Sequence, residues 1–169
     1  MRRVALLALL SCTRQPAFDP VAASADGTVV IAFVTTECPI SNRYAPTLQA
    51  VAERFVDVEF VAVYPDPDDD AQEVEDHRRS YGLRFRGVRD PDHALVRLVG
   101  ATVTPEVAVY SAGALVYRGR IDDRAVSFGN FRASARHDDL ANAIEATLAG
   151  SPVDPARTEA IGCYIEDLR

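Results

Sequence analysis

No Cys-x-x-Cys or Cys-x-x-x-Cys occurs in this sequence, whose three cysteines, Cys12, Cys38 and Cys163, lie far apart. That excludes a redox site that resolves itself within one helical turn and leaves no paired-cysteine signature for soft metals. Basic clusters are equally scarce. Eighteen Lys and Arg stand against 25 Asp and Glu, a net charge of −7, with no basic cluster longer than a pair such as Arg78-Arg79. The electrostatic footprint of a nucleic-acid binder is missing. Neither a phosphate-cradling glycine loop, nor a Ser/His/Asp pattern, nor an internal repeat is present, and the acidic stretch "PDPDDD" lacks the spacing and glycine of a calcium loop. What remains is a chain of 169 residues, 48% hydrophobic and 25% charged, the size of one soluble domain with one core.

The N-terminus reads "MRRVALLALLSC". Two arginines and a short apolar run from Val4 to Leu10 have the form of a secretory signal, and the run is too short to span a bilayer. Leu-x-Ser-Cys resembles a bacterial lipobox, with Leu10 where a smaller residue is usual. This implies a lipoprotein signal over 1–11, lipidation of Cys12, and a membrane-anchored protein on the extracytoplasmic side, in the periplasm. Residues 12–27 then read as a tether, 28–150 as the folded domain and 151–169 as a tail carrying Cys163. In an oxidising compartment Cys38 and Cys163 are left as a candidate redox pair.

Within 28–150 the hydrophobic pattern alternates between strands and helices. "TVVIAFVTT" (28–36) and "VEFVAVYPD" (58–66) are nearly continuous apolar runs, as expected of parallel strands buried on both faces. Between them Ile40, Tyr44, Leu48, Val51 and Phe55 recur at helical spacing, predicting a helix over 39–55 that Pro39 opens. A helix over 71–82, a strand near 85–88 and a helix over 92–99 follow. "EVAVYS" and "ALVYRGR" flank Ala112-Gly113 as an antiparallel hairpin, with Thr104-Pro105 immediately before it. Residues 125–136 read as an irregular loop, and 137–150 as a last helix ended by Gly150.

That order is β-α-β, intervening helices, proline-led hairpin, C-terminal helix. With "FVTTECPISNRYAP", "VTPEVAVY" and "YRGRIDD", it resembles the thioredoxin-like redoxins of the alkyl hydroperoxide reductase and thiol-specific antioxidant group, a peroxiredoxin-like family. The resemblance implies an α/β thioredoxin-like fold, a central mixed sheet flanked by helices, with an insertion before the cis-proline strand. It implies that Cys38 is the reactive cysteine, that Pro46 is the helix-kinking proline, and that Thr104 and Pro105 form the cis-proline edge where substrate binds. Thr35 matches the threonine that orients peroxide, whereas Ile31 replaces the accompanying proline. The peroxide-side arginine has two candidates, Arg118 and Arg120, of which Arg120 is carried forward.

Elementary chemistry supports the same cysteine. A thiol at a helix N-terminus meets unpaired N–H groups and the positive end of the helix dipole, both of which favour the thiolate. Ser41, in the next turn, is a further donor, and Arg43 adds positive charge that Glu37 opposes. With Ser41 in place of a second cysteine, Cys163 is the candidate resolving thiol, within the chain or between two chains. A fixed structural disulfide or simple packing are its alternatives. The expected enzyme is a thiol-dependent oxidoreductase without cofactor or metal. Its partners are a peroxide or disulfide substrate and a reducing thiol protein or small thiol. Copper delivery through Cys38, Cys163 and one of His77, His93 and His137 is the competing reading.

Overall fold

The computed structural model describes residues 18–166. Residues 1–12, read as a lipoprotein signal ending at Cys12, lie outside the described residues. Helix α1 (Pro20–Ala23) precedes strand β1 (Thr28–Phe33), helix α2 (Pro39–Arg54) and strand β2 (Glu59–Tyr64). Helix α3 (Ala71–Ser80), strand β3 (Arg86–Arg89) and helix α4 (Ala94–Val99) come next. Strands β4 (Val103–Thr104), β5 (Glu106–Ser111) and β6 (Ala114–Gly119) are followed by β7 (Ala125–Ser127), β8 (Asn130–Phe131), helix α5 (Asp139–Leu148) and strand β9 (Cys163–Tyr164).

The central sheet runs β3-β2-β1-β5-β6, with β1, β2 and β3 parallel and β5 and β6 antiparallel to their neighbours. It is the expected thioredoxin-like α/β fold, with β3 and α4 inserted before the cis-proline strand. Strand β1 is buried along its whole length because it is central and covered on both faces. Val30 and Ala32 face Ile40, Tyr44 and Leu48 of α2 and Leu140 and Ile144 of α5. Val29, Ile31 and Phe33 face Leu95, Val96 and Val99 of α4. Pro46 lies inside α2 without ending it. The Ala112-Gly113 turn joins β5 to β6 with positive φ at both residues (49° and 73°), as a two-residue hairpin requires. No described helix is long and apolar enough to cross a membrane.

Three segments depart from expectation. Within 12–27, read as a tether, Phe18 and Ser24 are buried, and Phe18 joins the core on the α4 face. Residues 125–136, read as irregular, contain the β7–β8 hairpin. The tail is seated along the body: Arg118 N–H donates to the Ala156 carbonyl and Thr158 N–H to the Arg118 carbonyl. Thr158 Oγ1 lies 2.6 Å from the Tyr117 hydroxyl and accepts from Arg120 N–H at 3.0 Å. Gly119 makes this close approach possible, since a Cβ there would overlap Thr158.

Candidate functional site

Cys38 is the N-cap of α2, in extended conformation just after β1, and Pro39 opens the helix. The β1–α2 junction therefore places the sulfur where unpaired helix N–H groups converge. Its thiol is 3% exposed and donates to the Thr104 carbonyl at 3.1 Å, while the Ser41 N–H points at its sulfur at 3.4 Å. The Thr104–Pro105 bond is cis. Thr35 Oγ1 lies 3.4 Å from Thr104 Oγ1, so two hydroxyls stand together beside the thiol.

The tail brings the second thiol. Strand β9 pairs antiparallel with β4, setting Cys163 opposite Thr104 and Tyr164 opposite Val103, and Ile165 N–H donates to the Thr102 carbonyl at 3.1 Å. Cys163 packs against the core cluster that contains Cys38, and both are free thiols. Ile165 anchors the strand in the core on the α4 face.

The two thiols push each other's pKa in opposite directions. Burial pushes the Cys38 thiol up, but hydrogen bonds from Cys163, the Ser41 hydroxyl, the Ser41 N–H and Thr104 outweigh it, leaving its pKa below the ordinary thiol value. Burial, the hydrogen bond to Cys38 and the Cys38 charge push Cys163 up to about 12. Ser41 Oγ is buried and makes no hydrogen bond while Cys38 is a thiol, so it is free to donate to a thiolate.

Behind the cysteine lies a buried polar chain with no local sequence signal. The Tyr64 hydroxyl contacts His77 Nδ1 at 2.8 Å, His77 Nε2 contacts Asn42 Oδ1 at 2.7 Å, and Asn42 Nδ2 donates to the Thr36 carbonyl at 3.0 Å. Thr36 Oγ1 donates to Asp69 at 2.5 Å. The chain is consistent with a neutral His77 that donates from Nε2 and accepts at Nδ1, and burial holds its pKa down. It ties the Thr35–Cys38 loop to α3, so the sulfur's position is held from both sides.

A cavity of about 560 Å³ opens onto both thiols. Thr35, His93 and the acidic residues Glu37, Asp66, Asp68 and Glu166 line it, with no Arg or Lys among the described residues. The expected cations are elsewhere. Arg120, the peroxide-side candidate, is bound to Asp139 at the start of α5, with Nε 2.7 Å from its carboxylate. Arg118 pairs with Glu106 at 3.1 Å and donates to carbonyls at the C-terminus of α4. Arg43 stacks on the Phe131 ring, 4.0 Å from its centroid, rather than facing the thiol. Asp122 and Asp123 also serve structure: Asp122 binds the Tyr44 hydroxyl and Arg124, and Asp123 caps the N–H groups of Arg136 and His137.

For copper delivery, His93 shares the cavity with both cysteines but its Nε2 is 2.9 Å from the Pro65 carbonyl, and His77 is held in the buried chain. Among the described residues no three His, Cys, Asp or Glu side chains are grouped to hold a metal ion.

Residues 19–121 match the AhpC/TSA family. No curated protein matches the chain. A hypothetical protein of Sinorhizobium meliloti 1021 is similar at 25% identity with a TM-score of 0.70, over 86% of this chain and 81% of that one. An uncharacterized conserved protein of Geobacillus kaustophilus is similar at 23% identity and TM-score 0.73, over 85% and 79%. A secreted Mycobacterium tuberculosis disulfide oxidoreductase shares the fold at 23% identity and TM-score 0.54, over 74% and 85%.

Proposed function

The chain belongs to the AhpC/TSA family, and on that premise we propose that it is a thiol–disulfide oxidoreductase whose redox couple is Cys38 and Cys163. The observation that carries this reading is the β4–β9 register, which sets Cys163 opposite the residue whose carbonyl holds the Cys38 thiol.

The Cys38 thiolate attacks one sulfur of a substrate disulfide. A mixed disulfide forms, the substrate S–S bond breaks, and the released thiolate takes up a proton. Cys163 then loses its proton and attacks Cys38 Sγ. The mixed disulfide breaks, the Cys38–Cys163 disulfide forms, and the substrate leaves reduced by two electrons. Two of the three influences that hold the Cys163 pKa high come from Cys38. Both weaken once Cys38 is bonded to substrate and no longer carries charge. Cys163 therefore becomes the better nucleophile only after the first step, which orders the sequence. An external thiol returns the pair to the dithiol.

Disulfide exchange is favoured over peroxide reduction by the charges at the cavity. Breaking an O–O bond at sulfur is helped by a cation near the developing negative charge, whereas this cavity is lined by carboxylates, with Arg118 and Arg120 bound elsewhere. The Thr35–Thr104 hydroxyl pair is the feature that supports a peroxide reading. We place the protein outside the cytoplasmic membrane, anchored through Cys12, on the form of residues 1–12. The fully reduced protein mixed with a neutral disulfide in the absence of recycling thiol should release one reduced substrate per chain and stop. Turnover of hydrogen peroxide with no reaction at disulfides would reassign the enzyme as a peroxidase.

Two further outcomes follow. Rates of Cys38 alkylation by a neutral reagent should rise with pH to a plateau reached below the pH typical of a free thiol, because its thiolate is stabilised. Ser41→Ala removes a thiolate donor and should move that midpoint upward. An unmoved midpoint would mean that Ser41 only packs. The carboxylate-lined mouth should also disfavour anionic disulfides. A disulfide with cationic ends should outpace one with carboxylate ends by about tenfold at low salt, converging as ionic strength rises and screens the exposed charges.

A further inference from the structure

Strand β9 occupies more than a resolving position. Strand β4 is two residues long, and β9 takes the pairing positions along it, with Ile165 continuing the ladder onto Thr102. An exposed edge beside the reactive thiol is the place where an extended polypeptide would add as a strand, gaining affinity from main-chain hydrogen bonds. The tail fits this edge through Gly162: a Cβ there would overlap the Thr104 carbonyl that accepts from Cys38.

Resting on the thiol–disulfide reading above, we propose that β9 and an extended polypeptide disulfide substrate use the Val103–Thr104 edge in turn. The substrate strand pairs with β4 when β9 lifts off, and Cys38 attacks its disulfide as written above. Return of β9 then delivers Cys163 to Cys38 Sγ and displaces the substrate strand from the same hydrogen-bonding positions. Resolution and product release are thus one event. Gly162 determines the balance between the two occupants, and small disulfides, which need no edge, bypass it.

The test uses the full chain with Cys163→Ser, so that the first mixed disulfide persists. Two probes carry the same thionitrobenzoate leaving group, one on mercaptoethanol and one on an extended peptide, and the released chromophore gives the rate at Cys38. Adding Gly162→Ala introduces the overlap at Thr104, an over-packing that weakens β9 docking. It should accelerate the peptide probe by about tenfold while changing the mercaptoethanol probe less than twofold. Ile165→Ala, which loosens the tail at its other anchor, should act in the same direction and serves if Gly162→Ala does not fold. Equal acceleration of both probes would overturn the proposal, since the tail would then only shield the thiol. An unchanged peptide rate in both variants would also overturn it while leaving the thiol–disulfide reading intact. No chromophore release from either probe would overturn both.

Discussion

Cys38→Ser will abolish disulfide turnover, by at least about a thousandfold, because it removes the sulfur held at the helix N-terminus and leaves Cys163 no intrachain partner with which to complete the cycle. Cys163→Ser will behave differently, and the contrast is the informative part. Its first step survives, so one mixed disulfide accumulates per chain, but steady-state turnover falls to the rate at which external thiol can reach a sulfur that is 3% exposed. Serine keeps a donor at position 163, whereas Cys163→Ala removes the hydrogen bond to Cys38 and should move the Cys38 pKa upward, so that its surviving first step is slower at neutral pH and recovers at higher pH. Stopped-flow measurement of thiol release across pH separates the two effects. A Cys163→Ser protein with undiminished turnover would show that the tail cysteine takes no part.

The second large effect concerns stability. Asp122 is 2% exposed and holds three groups: the Tyr44 hydroxyl at 2.6 Å, Arg124 Nε at 2.7 Å and Arg124 N–H at 2.9 Å. Asp122→Ala removes the acceptor of a buried phenol and the partner of a partly exposed guanidinium that keeps Thr47, at a cost of about 1–3 kcal/mol, the usual consequence of leaving a buried donor without its acceptor. Since Asp122 joins α2 to the segment after β6, the loss should appear as a lower denaturation midpoint. Once the variant is folded, the Cys38 alkylation rate should be unchanged. A matching loss of Cys38 reactivity in folded protein would place Asp122 in the site instead of the scaffold.

The β1–α2–β2 unit is legible in the sequence because both strands are apolar on two faces and the helix between them repeats at 3.6 residues. The position of Cys38 follows from it, since a residue just ahead of Pro39 must fall at the helix N-terminus. Thr104 is equally accessible, because the proline after it stands at the start of an unmistakable hairpin. The rest depends on contacts distant in sequence. Phe18 and α1 bury a face that looks like linker, since prolines and small residues there mask one large aromatic. Strand β9 is two residues long, below the length at which alternation can be detected, and its register is set by β4 and by the space that Gly162 leaves. The Tyr64–His77–Asn42–Thr36–Asp69 chain joins residues up to 35 positions apart at a single hydrogen bond, and each is locally an ordinary strand, helix or loop residue. The partner of Arg120 is equally hidden: Asp139, 19 positions further on, takes its guanidinium with both carboxylate oxygens, which no local pattern announces.

The central claim is that Cys38 and Cys163 are one redox couple within a chain. It is tested most directly by intact mass and peptide mapping of the reduced full-length protein after one equivalent of a neutral disulfide. The account predicts loss of two hydrogens from the chain, no retained adduct, and a single cross-linked peptide pair containing Cys38 and Cys163. A stable adduct on Cys38 with Cys163 still free would contradict it.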